Sequence, residues 1–249
     1  MSILIYDDSF EGLLTSMYDA FYSKHQIDGI YGLSQYNAPL LLGEIKNIET
    51  DLNKFEKVRN SIINKIDLLC LQKIYMVYLS NVEDKGMVIF KYLKIAFKYK
   101  KNIHAFLHID IVRQIDEIKK RVSFEAHKFK GFVRFKSIDN NFLYCSIEPD
   151  NNILELIGDH FMKRFSNEYW IIHDISRNKA IIYDTNKYEI IELLQDDCKN
   201  LLDHKDEYSS LWKCYFKSTT IEERKNLRLQ RQMMPKRYWK HIFETSPFN

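Results

Sequence analysis

The sequence predicts an α+β fold, with an antiparallel sheet, a helical N-terminal layer and C-terminal helices. Two observations predict it. Apolar residues recur at helical spacing from Asn53 to Val122, and at Gly131 the period switches from 3.6 to 2. The alternating segments after that point are separated mostly by short turn sequences, which suits hairpins better than crossovers. With 249 residues, 45% hydrophobic and 14% aromatic, the chain can bury a sizeable core. Seven Gly and four Pro leave few linkers, so one compact unit over 1–249 is expected. Within it, 1–130 reads as mainly helical with an N-terminal strand, 131–195 as the sheet, and 196–249 as helices and a basic tail.

Ile3 to Tyr6 reads as a strand, and Asp8 with Glu11 as a capping box for a helix that carries Phe10, Leu13, Leu14, Met17 and Phe21 on one face. Glu44 to Glu49 suggests a second strand paired with the first. Helical stretches follow from Asn53, over Leu69 to Leu79 and through Met87 to Phe97. Another starts with Asp110 as N-cap and stops at Gly131 behind a basic last turn. Phe132 to Lys136 and Phe142 to Glu148 flank Asp139, Asn140 and Asn141 and read as a hairpin. Asp150 is expected to cap a helix carrying Leu154, Ile157, Phe161 and Phe165. Strands over Tyr169 to Ile175, Lys179 to Tyr183 and Tyr188 to Leu194 follow, joined by SRN and DTNK turns. Helices around Tyr208 to Phe216 and from Ile221 to Met233 precede a short turn at Pro235.

A net charge of +3 is too mild to imply a polyanion partner by itself. The cations cluster, however. Residues 221–244 carry seven Lys and Arg against three Glu, and Lys236 and Arg237 stand beside Tyr238 and Trp239. Cations interleaved with aromatics suit phosphate and base contacts. Arg224, Arg228 and Arg231 fall on one helical stripe, and Arg134, Lys136 and Arg177 could add phosphate contacts from the sheet. The alternative is a solvated cationic face, with the aromatic pair docked in the protein's own core.

Four titratable residues are candidates for acid-base chemistry: Glu125, His127, His173 and Asp174. His173 and Asp174 are neighbours in a predicted strand, so they point to opposite faces. His173 is either a base near neutral pH or a histidine hydrogen-bonded within the sheet, with Asp174 turned toward Arg177. Glu125 sits near a helix end where cations are preferred, which suggests an arginine partner such as Arg134 or Arg164.

His104 and His108 have i, i+4 spacing but no third ligand at a recognised spacing, so no metal is expected. Cys70, Cys145, Cys198 and Cys214 form no CxxC pair, which argues against an iron-sulfur cluster. P-loop, Rossmann glycine and GxSxG signatures are missing, and no cofactor is implied. The acidic N-terminus MSILIYDDSFEG is unlike a signal peptide, and Lys residues break the apolar runs. A cytoplasmic protein without a membrane partner is expected.

Three blocks carry a resemblance: EAHKFKGFVRF from Glu125, HFMKRFSNEYWIIHDISRNKAIIYD from His160, and the stretch from LWKCYF at Leu211 to MPKRYW ending at Trp239. With the opening IYDDSFEGLL, they are similar to a family of bacterial proteins associated with DNA repair and DNA metabolism. The sequence departs from that pattern at Leu227, where relatives carry Pro. The resemblance implies a role beside a radical-SAM protein, and similar domains occur fused to uracil-DNA-glycosylase-like domains. It supplies a process and a partner, but no catalytic residue. The leading expectation is therefore DNA binding in a repair or modification pathway. One alternative is an enzyme acting on a damaged nucleotide or DNA end; another is a protein-protein adaptor without DNA affinity.

Overall fold

The computed structural model describes residues 2–36, 44–138, 142–198 and 207–242. They form an α+β chain that divides into two compact units, Met1–Ser123 and Phe124–Asn249. The boundary falls inside a helix, seven residues before the change of period at Gly131, whereas the sequence reads as one compact unit over 1–249. Among the described residues no helix is long and apolar enough to cross a membrane.

The first unit begins with β1 (Ser2–Tyr6), α1 (Phe10–Tyr22) and β2 (Ile27–Gly32), followed by β3 (Glu44–Asn47). The three strands are all parallel, in the order β2-β1-β3. The expected pairing of the first strand with a strand near Glu44 is present. β2 is an addition, because its glycines read as loop.

The N-cap of α1 is Ser9 rather than Asp8: its hydroxyl accepts from Gly12 N at 2.8 Å. Asp8 instead takes a left-handed φ of 64° and turns its carboxylate to the N–H of Ser34, at 2.9 Å. Gly32 permits that approach, since a Cβ there would lie 2.1 Å from Asp8 Oδ1.

Four helices cover this unit: α2 (Leu52–Lys65), α3 (Leu68–Leu79), α4 (Lys85–Tyr99) and the start of α5 (Asp110–Phe132). Asp51 and Asp67 cap α2 and α3 by accepting backbone N–H groups. Leu13, Met17, Ile62, Ile74, Ile89 and Val112 are fully buried, one apolar stripe from each of the five helices. His104 pairs with Asp67 at 3.0 Å rather than with His108.

In the second unit α5 continues through Gly131 to Phe132, so the strand expected over Phe132 to Lys136 shortens to β4 (Lys136–Ile138). The hydrogen bond from Val133 N to Phe129 O closes the last helical turn, so the start of the expected strand belongs to the helix end. β4 pairs antiparallel with β5 (Phe142–Ile147); the expected turn at 139–141 lies outside the described residues. α6 (Leu154–Arg164) follows, with Ile153 rather than Asp150 at its N-cap. Then come β6 (Trp170–Asp174), β7 (Lys179–Tyr183) and β8 (Tyr188–Glu192).

The sheet order is β4-β5-β6-β7-β8. Every neighbouring pair is antiparallel except β5 and β6, which run parallel because α6 carries the chain back between them. Trp170 lies at the core, stacked on Tyr183 at 5.1 Å and near Phe161.

The C-terminal segment has a helix over Glu207–Thr219 and a shorter one over Leu227–Met233. The single helix expected from Ile221 to Met233 is interrupted, because the side chain of Asn226 caps the second piece by accepting from Leu229 N at 3.0 Å. Only a 3-10 turn, Glu222–Arg224, lies before it. Arg224 is thereby separated from the stripe it was expected to share with Arg228 and Arg231.

Candidate functional site

The last turns of α5 bring Glu125 inward and His127 outward, as their two-residue separation requires. Glu125 is buried, and four donors meet its carboxylate: the N–H groups of Asp150 and Asn151 at 2.8 and 2.9 Å, the Asn151 amide at 2.6 Å and the Tyr238 hydroxyl at 2.5 Å. That set compensates the lost hydration of the carboxylate without a cation. The arginine partner suggested by the sequence is replaced by a loop and a phenol. Arg134 instead donates to the carbonyls of Gly131 and Val133, at the end of α5.

Tyr238 is 4% exposed, and its ring edge packs on Phe129 at 4.9 Å. Burial and the adjacent Glu125 push its phenol above the usual range, so it remains a protonated donor. Arg237 covers the ring at 4.8 Å, donates to the Tyr238 hydroxyl at 3.2 Å and pairs with Asp150. Lys240 pairs with Glu148. Trp239 is partly buried and donates from its indole to Met234 O at 2.9 Å. Of the tail's expected nucleic-acid contacts, Tyr238 is thus inside and Arg237 is engaged, while Lys236 remains exposed.

The same loop is held from the sheet side. Arg177 donates to Pro149 O at 3.0 Å, to Asp150 O at 2.5 Å and to Asp174 at 2.8 Å. Asp174 has no exposed surface, and burial raises its carboxyl above the ordinary range although Arg177 opposes the shift. Arg177 is thus engaged within the unit by one carboxylate and two carbonyls.

His173, equally buried, has both ring nitrogens occupied. The Tyr144 hydroxyl lies 2.8 Å from Nδ1, and Nε2 lies 3.1 Å from the Leu193 carbonyl. A carbonyl can only accept, so Nε2 carries the proton and Tyr144 donates to Nδ1. Burial depresses the imidazole pKa, with the Leu193 carbonyl opposing. This is the sheet-bound alternative of the sequence reading. The four acid-base candidates thus fall in three settings: Glu125 and Asp174 on opposite sides of the 149–151 loop, His173 closed in the sheet, and His127 at the surface.

The C-terminal helices carry much exposed apolar surface. Leu211, Trp212, Tyr215 and Phe216 lie on one face of the first and are all exposed, as are Arg228 and Arg231 on the second. Trp212 and Tyr215 are additions to the sequence-derived candidates. The i, i+1, i+4, i+5 spacing of these apolar residues, with Lys213 and Lys217 alongside, is the signal that marks them. Among the described residues no group of three or more His, Cys, Asp or Glu is arranged to hold a metal ion.

Comparison with curated proteins and with solved structures returned no match. A family model does match: residues 83–244 fit a domain of unknown function, DUF4130. The matched span contains the whole anchoring network, from Glu125 through Asp150, Asp174 and Arg177 to Tyr238. It covers more than half of the sequence, and the chain therefore belongs to the DUF4130 family.

Proposed function

We propose that this protein binds DNA through its C-terminal segment, in a repair or modification pathway and in company with a radical-SAM protein. One observation carries the nucleic-acid part of the reading. Trp212 and Tyr215 are 42% and 58% exposed, with ring centroids 5.7 Å apart, in a segment that also exposes Arg224, Arg228, Arg231 and Lys236. Rings left in solvent beside cations suit stacked bases and their phosphates. Tyr238 and Arg237 serve as anchors in this reading, fastening the segment through Glu125 and Asp150. The pathway and the radical-SAM partner rest on the resemblance of the three sequence blocks alone.

A second reading, an adaptor that docks a protein, is favoured by the exposure of Leu227, Leu229 and Met233 on the short helix. Equilibrium binding to labelled single-stranded, duplex and uracil-containing DNA across a salt series separates the two. DNA binding predicts affinity that falls steeply with salt. The double variant Arg228→Glu/Arg231→Glu should bind more weakly, with a log-log slope shallower by about one for each phosphate contact removed. Salt-insensitive or undetectable binding at low salt would leave the adaptor reading.

A further inference from the structure

The first unit holds a groove that the function proposed above does not use. Its volume is about 730 Å3, and its walls include Tyr18, Phe21 and Tyr22 of α1, Phe97 of α4, and Lys57 and Lys65 of α2. A second, polar groove along α2 shares Lys57, Ser61 and Lys65 with it and adds Asn53, Glu56, Asn60 and Asn64. The two form one trough, aromatic on one side and lined by amides on the other.

Phe21 packs edge-on against Phe90 and Phe97, but folding does not account for the outer ring, Tyr22. Leu13, Leu14 and Met17 supply the buried face of α1, whereas Tyr22 is 74% exposed and Phe21 37%. The rings of Tyr18 and Tyr22 lie 4.6 Å apart, tilted by 37°. Lys54 and Lys57 stand over the Tyr18 ring at 5.7 and 5.8 Å.

The charges in the trough are not balanced. Lys54 is committed to Asp19 at 2.7 Å, and Glu56 to Arg59 at 3.0 Å. Among the described residues Lys57 and Lys65 have no carboxylate within ion-pair distance. What remains is a pair of ammonium groups between exposed rings and side-chain amides. A planar, hydrogen-bonding group joined to an anion meets all three demands, and an unpaired nucleotide is such a group. A duplex would present phosphates to the lysines but hide its base faces from the rings.

We propose that this trough binds unpaired nucleotides of a single-stranded nucleic acid, with a base on Tyr22 and phosphates on Lys57 and Lys65. The inference shares with the proposed function the premise that the chain binds nucleic acid, and uses none of the same residues. The chemistry is common to DNA and RNA, because no trough residue named here is specific for a 2′-hydroxyl.

The test is fluorescence anisotropy on the full chain with labelled oligo(dT), oligo(rU) and a duplex. Wild type is compared with Tyr22→Ala, with Lys57→Glu/Lys65→Glu and with Arg228→Glu/Arg231→Glu. All these positions except Tyr22 carry exposed charges, and Tyr22 is itself exposed, so folding should be retained. The two trough variants should each weaken single-strand binding by about fivefold to a hundredfold and leave duplex binding unchanged. Equal affinity for oligo(dT) and oligo(rU) supports a site blind to the sugar; a preference for either identifies the source while keeping the site. Unchanged single-strand binding in both trough variants would overturn the inference, whatever the tail variant does. Loss in the trough variants with a tail variant that binds like wild type would uphold it and overturn the tail reading.

Discussion

Tyr238 donates to Glu125 across 113 residues of sequence, joining the end of the basic segment to the last turns of α5. The bond closes a buried set in which every other donor comes from the 149–151 loop. Tyr238→Phe should therefore lower stability by about 1–3 kcal/mol, the cost of leaving one side of a buried carboxylate without its donor. Urea unfolding measures the change. An unaltered midpoint would mean that water replaces the phenol.

Arg177→Ala should be more damaging. It strips the cation from Asp174, which has no exposed surface, and from two loop carbonyls. Breaking a buried pair by removing one partner costs about 3–5 kcal/mol. Adding Asp174→Asn should recover part of that loss, because the uncompensated charge goes with it. A double-mutant cycle reads the recovery directly.

Acid should destabilise the fold in the histidine range. Burial holds His160, His173 and His241 below their ordinary value, so the folded state binds fewer protons than the unfolded one. Their contribution is complete above the unfolded value of about 6.5 and is lost as pH falls through the lower folded values. Asp174 acts in the opposite sense, since its raised pKa contributes stability that is lost as pH rises. Comparing unfolding at neutral and mildly acidic pH, His173→Gln should be less stable than wild type when neutral and lose less on acidification. Parallel losses in the two proteins would assign the effect to the other histidines.

Gly86→Ala tests the packing of the first unit. In most helix interiors this change gains up to about 1 kcal/mol. Here the new methyl would lie 2.2 Å from the Ile30 carbonyl oxygen in β2, so a net loss is expected by thermal unfolding. A stabilised variant would show that α4 can withdraw from the sheet at no cost.

Trp212→Ala and Tyr215→Ala should leave stability within about 0.5 kcal/mol of wild type, as both rings are exposed. Each should weaken nucleic-acid binding by about 1–3 kcal/mol if it carries a stacked base. Anisotropy and a melting curve on the same preparations separate the two effects.

Local rules made much of the fold legible. The helix expected from Asp110 begins there, and the SRN turn places Asn178 at a left-handed φ of 51°, although the caps expected at Asp8 and Asp150 fall to Ser9 and Ile153. β2 was hidden because its glycines look like loop, although Gly32 serves the close approach of Asp8. The parallel pairing of β5 and β6 depends on the return path through α6, which residue spacing does not reveal.

The site was less legible for a related reason. Glu125 can be singled out as an acid near a helix end, but its partners lie 25 to 113 residues away. The cations around Tyr238 leave open whether it is exposed or docked in the core, and its burial follows from Phe129 and the Glu125 carboxylate, both distant in sequence. Conversely, the spacing of Leu211, Trp212, Tyr215 and Phe216 marks an apolar helix face, but nothing local says that this face is left uncovered.

The distance in sequence between Glu125 and Tyr238 also sets an order of events during synthesis. When α5 leaves the ribosome, its buried carboxylate still lacks the phenol that completes its shell. At about 5–20 residues per second, that donor is added on the order of ten seconds later. Until then the side of the carboxylate that Tyr238 will meet has only water as a donor, so the end of α5 is held on the 149–151 loop more weakly than in the finished protein. The nascent second unit should accordingly remain open to proteases and chaperones until the basic segment has been made, and a chain stalled before Tyr238 should be cleaved near the end of α5 where the finished protein is not.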